Sequence, residues 1–215
     1  MRTVVVAHGD VEPADRDLAA GAEMVIAADG GAFTLDRWGI TPNLVVGDFD
    51  SLGLERAAAL GARGATVVPF PVEKAESDLE LAMRYAFESG ADDIVVLGAF
   101  GGRLDHAQAN VLLLADPAYR GWSVRAVQGR TQLRALHGGK RASLEGPRGS
   151  IVTLLPLTGE AQGVTTQGLR YALADDTLRF GRSRGLSNVI TSTPASVSLE
   201  HGVLLVIEVN EGGAS

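Results

Sequence analysis

Five short apolar runs, each followed by a polar or helical stretch, constrain this chain more than any other feature. They are Val4-Val5-Val6-Ala7, Met24-Val25-Ile26-Ala27, Leu44-Val45-Val46, Thr66-Val67-Val68 and Ile94-Val95-Val96-Leu97. A continuous apolar run, unlike an alternating one, suits a strand covered on both faces. The repeat of run and spacer is that of βα units around a mostly parallel sheet. Between the last two runs, Leu79, Met83, Ala86 and Phe87 recur at helical spacing across Ser77 to Ser89. Ser77 and Glu80 form a capping box at its start, which puts Asp78 in the first turn near the positive end of the helix dipole.

After about residue 130 the pattern changes. Ser150-Ile151-Val152-Thr153-Leu154-Leu155, Val197-Ser198-Leu199 and Val203 to Val209 read as strands separated by Gly and Thr, and no helical pattern appears. The expected fold is an α/β unit with a mostly parallel sheet over 1–129, followed by an all-β sandwich over 130–215. Gly129 to Pro147 is read as the junction, and the tail Gly212-Gly213-Ala214-Ser215 as frayed.

Composition removes several chemistries. With 46% apolar and 21% charged residues, the 215-residue chain has the profile of a globular protein. A net charge of -7 argues against a nucleic-acid partner, so any phosphate ligand should be small and accompanied by a cation. The absence of cysteine excludes disulfides, thiolate catalysis and cysteine-based zinc sites. His8, His106, His137 and His201 lack metal-ligand spacing. No apolar run approaches the length of a membrane span, and Val4-Val5-Val6 is too short for a signal peptide, so the expected location is the cytoplasm, with no membrane partner.

Four polar motifs follow four of the strands, at what would be the carboxyl edge of an open parallel sheet. Ala28-Asp29-Gly30-Gly31-Ala32 offers a close backbone approach to a ligand, though Asp-Gly-Gly is equally a tight turn. Gly47-Asp48-Phe49-Asp50-Ser51 carries two carboxylates two residues apart; it fits a magnesium ion that takes its remaining oxygens from water and phosphate, or a solvated turn capping a helix from Leu54. Ser77-Asp78-Leu79-Glu80 either faces the same edge or supplies an ordinary first-turn acid. Gly98-Ala99-Phe100-Gly101-Gly102-Arg103-Leu104-Asp105-His106 is a strand exit, a glycine loop and a helix start, whose free N–H groups and arginine suit phosphate oxygens. Asp105 and His106 also fit as surface helix residues. The loop has neither the Gly-Lys-Ser/Thr of a Walker motif nor the dinucleotide pattern, and no Gly-x-Ser-x-Gly elbow exists.

Together these motifs resemble the thiamin pyrophosphokinase family, in the family's order and across nearly the whole chain. Asn110 extends the glycine-loop block, and Leu155-Pro156-Leu157, Gly163 to Tyr171 and Gly185-Leu186-Ser187-Asn188 are similar to the family's vitamin-binding sandwich. The resemblance implies an ATP-binding α/β domain and a thiamin-binding β-sandwich, assembled as a homodimer with active sites between subunits. It implies transfer of diphosphate from ATP to the thiamin hydroxyl, with AMP as the other product. Asp48, Asp50 and Asp78 would hold Mg2+, and with Arg103 would form the catalytic set. Asp29, Gly30, Gly31, Ser51, Gly101, Gly102, Arg103, Asp105 and His106 would bind the nucleotide, and Asn110, Ser187 and Asn188 the thiamin. Two positions depart from the pattern: Ala75 stands where the family has an aspartate, with Glu73 and Glu76 as nearby substitutes, and Val189 stands where it often has a glutamate. The competing readings are a diphosphokinase for another alcohol, such as a hydroxymethylpterin, and a non-catalytic thiamin or nucleotide binder.

Overall fold

A computed structural model describes residues 1–211, so the tail expected to fray lies outside the described residues. The chain forms two compact units, Met1–Leu113 with Gly121–Gly129, and Leu114–Arg120 with Arg130 onward. The short segment 114–120, placed in the first half by the sequence reading, thus belongs to the second unit.

In the first unit the five apolar runs become β1 (Arg2–Val6), β2 (Met24–Ala28), β3 (Leu44–Gly47), β4 (Thr66–Pro69) and β5 (Asp93–Leu97). A sixth strand, β6 (Ser123–Gln128), joins them; Arg125 and Gln128 interrupt its apolar pattern, which is why no run marks it. All neighbouring pairs in the order β6-β5-β1-β2-β3-β4 are parallel. Helices α1 (Asp15–Ala20), α2 (Gly31–Arg37), α3 (Leu54–Ala62), α4 (Asp78–Glu88) and α5 (Leu104–Leu113) connect the strands. Val4, Val5 and Val6 are each fully buried, as a doubly covered strand requires. Val4 and Val6 enter one core with Ala32, Leu35, Ala57 and Leu60.

Helix α4 forms where its periodicity and cap predict: Ser77 Oγ accepts from the Glu80 N–H at 3.2 Å, and Leu79, Leu81, Ala82, Met83 and Ala86 are buried. The helix packs on β1, β2 and β3, which fixes the height of Asp78 above the sheet. The strand order reverses at β1, whose neighbours β2 and β5 lead away on opposite sides. Such a switch point opens a crevice at the carboxyl ends of the strands.

The second unit is a sandwich of two antiparallel sheets, β12-β9-β14-β7 and β11-β10-β13-β8. Its strands are β7 (Thr131–His137), β8 (Lys140–Leu144), β9 (Ile151–Pro156), β10 (Glu160–Gln167), β11 (Asp176–Arg179), β12 (Asn188–Val189), β13 (Ala195–Leu199) and β14 (Val203–Val209). Leu154, Leu204 and Val206 from one sheet meet Val164, Leu178 and Val197 from the other in a single core. The stretch Gly129 to Pro147 is not a loose connection: it holds β7 and β8, and Gly138-Gly139 carries the chain from one sheet to the other. Among the described residues no helix is long and apolar enough to cross a membrane.

Leu81 is 1% exposed in the middle of α4. Leu81→Ala should destabilise the protein by about 2–5 kcal/mol, read as a lowered denaturant midpoint with an unchanged m-value.

Candidate active site

The first unit holds a cavity of about 500 Å³ at the carboxyl ends of its strands. Asp50, Ser51 and Asp78 line one part of it; Gly101, Gly102, Arg103, His106 and Asn110 line another. All four motifs therefore meet in one place: the Asp29-Gly30-Gly31 motif lines the cavity through Ala28, while Asp29 itself is buried.

Asp29 is 4% exposed, and its backbone takes a positive φ of 40°. Its carboxylate accepts from the Ser51 N–H at 3.3 Å and the Leu52 N–H at 3.2 Å. It therefore shapes the acidic loop after β3 from below. That loop is strained as well: Phe49 has a φ of 61° while its ring is buried at 4% exposure. With the ring turned into the core, Asp48 and Asp50 flank it, and the Asp50 N–H donates to Asp48 Oδ1 at 3.1 Å.

Asp29, Asp48 and Asp78 each offer a carboxylate oxygen, and the three oxygens lie within 4.8 Å of one another. This differs from the trio implied by the resemblance. Asp50 is exposed and outside the cluster, accepting instead from Ser51 Oγ at 3.0 Å, whereas Asp29 is inside it. The cluster already has a cation beside it, one the sequence reading did not single out. Lys74 Nζ lies 2.7 Å from Asp48 Oδ2 and 3.0 Å from Asp78 Oδ1, with the lysine side chain only 10% exposed. The contact with Asp48 is a hydrogen bond, but no hydrogen bond of acceptable geometry reaches the buried Asp78 Oδ1.

The titrations follow. The hydrogen bond from Lys74 holds the Asp48 carboxyl below the ordinary range. Burial pushes Asp78 above it, against the pull of the same ammonium. For Lys74, burial works to lower the value, but the hydrogen bond to Asp48 and the close negative charges of both aspartates outweigh it, and the net shift is upward.

An oxygen-only cluster with one buried, undonated carboxylate oxygen fits a hard divalent cation such as Mg2+. Glu76, one of the two substitutes considered for the acid missing at Ala75, is paired with Arg84 Nη1 at 2.9 Å.

The glycine loop after β5 takes positive φ at Gly101 (106°) and Gly102 (64°), conformations that side-chain-bearing residues rarely adopt. Asn110 Nδ2 donates to the Ala99 carbonyl at 2.7 Å, tying α5 to the loop. Arg103 and Asp105 form an exposed two-pronged pair, with Nε donating to Oδ1 at 3.1 Å. That bond holds the Asp105 carboxyl down to about 2. The loop after β1, His8-Gly9-Asp10, was also missed by the motif reading. The Gly9 N–H donates to the Gly98 carbonyl at 2.8 Å and the Asp10 N–H to the Phe100 carbonyl at 2.6 Å, so it buttresses the glycine loop across the switch point. The signal was available, since this loop follows a strand as the other four motifs do.

Gly30 and Gly31 have a different reason to be glycine. A Cβ on Gly31 would lie 1.9 Å from the Val6 carbonyl oxygen, and one on Gly30 would lie 2.3 Å from His8 Nδ1. They permit close approach of α2 to the chain's own β1.

In the second unit, Ser187 has a φ of 55° and its N–H donates to Thr153 Oγ1 at 3.1 Å. Asn188 is 7% exposed; its Oδ1 accepts from the Tyr171 N–H at 3.0 Å and its Nδ2 donates to the Tyr171 carbonyl at 2.7 Å. The carboxamide is thus engaged in holding the Tyr171 segment, and Val189 continues the edge strand β12.

Gly31→Ala should cost about 1–3 kcal/mol by overpacking α2 against β1, measured by thermal or denaturant unfolding. A second outcome concerns pH. Because Asp48 titrates lower in the folded chain, its stabilisation is complete above the unfolded carboxylate range, about 3.9. It is lost as pH falls through the folded value, while Asp78, shifted upward, contributes with the opposite sign. The urea-midpoint gap between wild type and Asp48→Asn should therefore be widest near neutrality and shrink on acidification; a gap independent of pH would contradict the Lys74–Asp48 assignment.

Comparison with known proteins gives a consistent match. Residues 16–125 fit the sequence model of the thiamin pyrophosphokinase catalytic domain, and residues 142–204 that of the family's vitamin B1 binding domain. A thiamine pyrophosphokinase of Bacillus subtilis is 24% identical over 210 residues, covering 96% of this chain and 98% of the relative. A solved structure of thiamine pyrophosphokinase from Bacillus subtilis superposes with a TM-score of 0.86 at 25% identity, covering 98% of this chain and all of that one. One from Geobacillus thermodenitrificans superposes with a TM-score of 0.82 at 27% identity over the full length of both. The chain belongs to the thiamin pyrophosphokinase family.

Proposed function

We propose that this protein transfers a diphosphate group from ATP to the hydroxyl of thiamin, releasing AMP. The observation that carries the reading is the meeting of the carboxylate cluster with the Gly101-Gly102-Arg103 loop at one cavity on the carboxyl edge of the sheet. Phosphate chemistry asks for little covalent help from a protein and much positioning and charge neutralisation. Both are supplied by this arrangement.

In this reading the thiamin hydroxyl attacks the β-phosphorus in line, breaking the bond to the oxygen that leaves with AMP. Asp48 and Asp78, with Asp29 beneath them, would hold Mg2+, and Asp50 would reach it through water. When bound, that ion would neutralise charge on the transferred diphosphate. Gly101 and Gly102 present backbone N–H groups to the phosphates. Arg103 exchanges its pairing with Asp105 for phosphate oxygens, a trade made easy by the exposure of both side chains. His106 and Ser51 line the nucleotide side of the cavity, and Asn110 keeps α5 and the glycine loop in register. Ser187 and Asn188 act on thiamin by shaping the Tyr171 segment.

The match of residues 142–204 to a vitamin B1 binding domain supports thiamin over a pterin alcohol. The retained acids and Arg103 support catalysis over simple binding. Helix α5 buries none of its residues, and its Leu104 and Leu112 are exposed at 79% and 56%. This supports assembly as a homodimer with active sites between subunits. Work on small soluble metabolites also suits a cytoplasmic location.

Incubation of the purified protein with Mg2+, ATP and thiamin should yield AMP and thiamin diphosphate in equal amounts. Asp78→Asn should lower kcat by at least about a hundredfold while the far-ultraviolet circular dichroism stays unchanged. ADP formed without thiamin, or full activity in the variant, would overturn the reading.

A further inference from the structure

We propose that Lys74 is a built-in counter-cation that closes the carboxylate cluster to a free divalent ion, and that a nucleotide opens the site by drawing the ammonium onto its phosphates. The inference rests on the diphosphate-transfer reading above.

The loop between β4 and α4 is largely exposed: Pro71, Val72, Glu73, Ala75 and Ser77 all face solvent, Val72 at 70% exposure. Glu76 is half-buried and paired with Arg84, and Lys74 turns its charged end furthest inward, leaving its side chain 10% exposed. Ordering a long side chain has an entropic cost and burying an ammonium a solvation cost, so the partners must offset both. Those partners are Asp48 Oδ2 and Asp78 Oδ1, and both residues belong to the candidate metal cluster. A magnesium ion binds oxygen at about 2.0–2.1 Å. An ion placed on these carboxylates would therefore stand within a few ångströms of the ammonium, and the two cations would repel.

The contact is also suited to exchange. Asp48 receives a formed hydrogen bond, but Asp78 Oδ1 sits 3.0 Å from the nitrogen without one. Its interaction with Lys74 is charge without directional bonding, and a better-fitting cation can replace it. The lysine stem is flexible and lines the same cavity as Gly101, Gly102 and Arg103. Phosphate oxygens arriving there offer the displaced ammonium new partners. Ala75, next to Lys74, adds no carboxylate that would help a free ion compete. The expected behaviour is ordered loading: metal enters with the nucleotide and is held weakly without it.

The test uses the full-length protein and Mn2+ as a paramagnetic probe, with free Mn2+ counted by electron paramagnetic resonance. Without nucleotide, Lys74→Met should bind Mn2+ about tenfold or more tighter than wild type, and Lys74→Met combined with Asp78→Asn should lose that gain. Adding a non-hydrolysable ATP analogue should produce tight Mn2+ binding in wild type. Lys74→Met should also raise KM for ATP more than KM for thiamin. If Lys74→Met melts before the measurement, Lys74→Gln provides the same comparison. A folded variant that binds free Mn2+ no tighter than wild type overturns the proposal, while Asp78→Asn still weakening Mn2+ binding with the analogue shows that the metal site itself stands. If Asp78→Asn leaves that binding unchanged, the metal reading fails and this inference fails with it.

Discussion

Carboxylates brought within 4.8 Å of one another repel, by about 3 kcal/mol per charged pair at an effective dielectric near 20. Asp29, Asp48 and Asp78 are nevertheless held together by parts of the chain remote in sequence. The fold opposes their separation at each position. Asp29 is fixed by two backbone N–H groups, Asp78 by a capped helix packed on three strands, and Asp48 by a loop anchored through Phe49. Lys74 then supplies the positive charge that makes the cluster tolerable. Removing any one of these supports acts on the others through electrostatics even where no atoms touch.

The sheet explains why the cluster and the glycine loop share a cavity. Strand β1 has β2 on one side and β5 on the other, so the chain leaving β5 meets the chain leaving β1 at the switch point. The hydrogen bonds from Gly9 and Asp10 to the carbonyls of Gly98 and Phe100 make that meeting rigid. The glycine loop placed there starts from a defined position, which reduces the ordering that binding of a ligand would have to supply.

Much of this was legible in the chain, because the deciding signals are local. Continuous apolar runs marked five of the six parallel strands, and Ser77 with the spacing of Leu79 and Met83 marked α4. Asp48, Asp78 and Gly101-Gly102 were singled out because each follows a strand, and the fold places them at one edge of the sheet. What escaped depended on relations across the fold. β6 carries Arg125 and Gln128 and is a strand because β5 needs a partner. β7 and β8 are rich in Arg, Gln, Ser and Lys, so they read as a junction until the sandwich pairs them. Lys74 went unmarked, since only the folded loop shows that its end turns inward. Gly30 and Gly31 were visible, but that their space is taken by Val6 and His8 was not.

The burial of Phe49 in a left-handed backbone conformation has a consequence for how such a protein can change. A conformation of this kind is costly for a bulky side chain, and glycine or asparagine would relieve it. Losing the ring would nevertheless cost about 3–5 kcal/mol of core packing, against about 1–3 kcal/mol of backbone strain relieved. Selection for stability alone, whether natural or in the laboratory, would therefore retain the phenylalanine. The shape of the loop that carries Asp48 and Asp50 is thus protected by folding itself, and a descendant hardened against heat would inherit it unchanged.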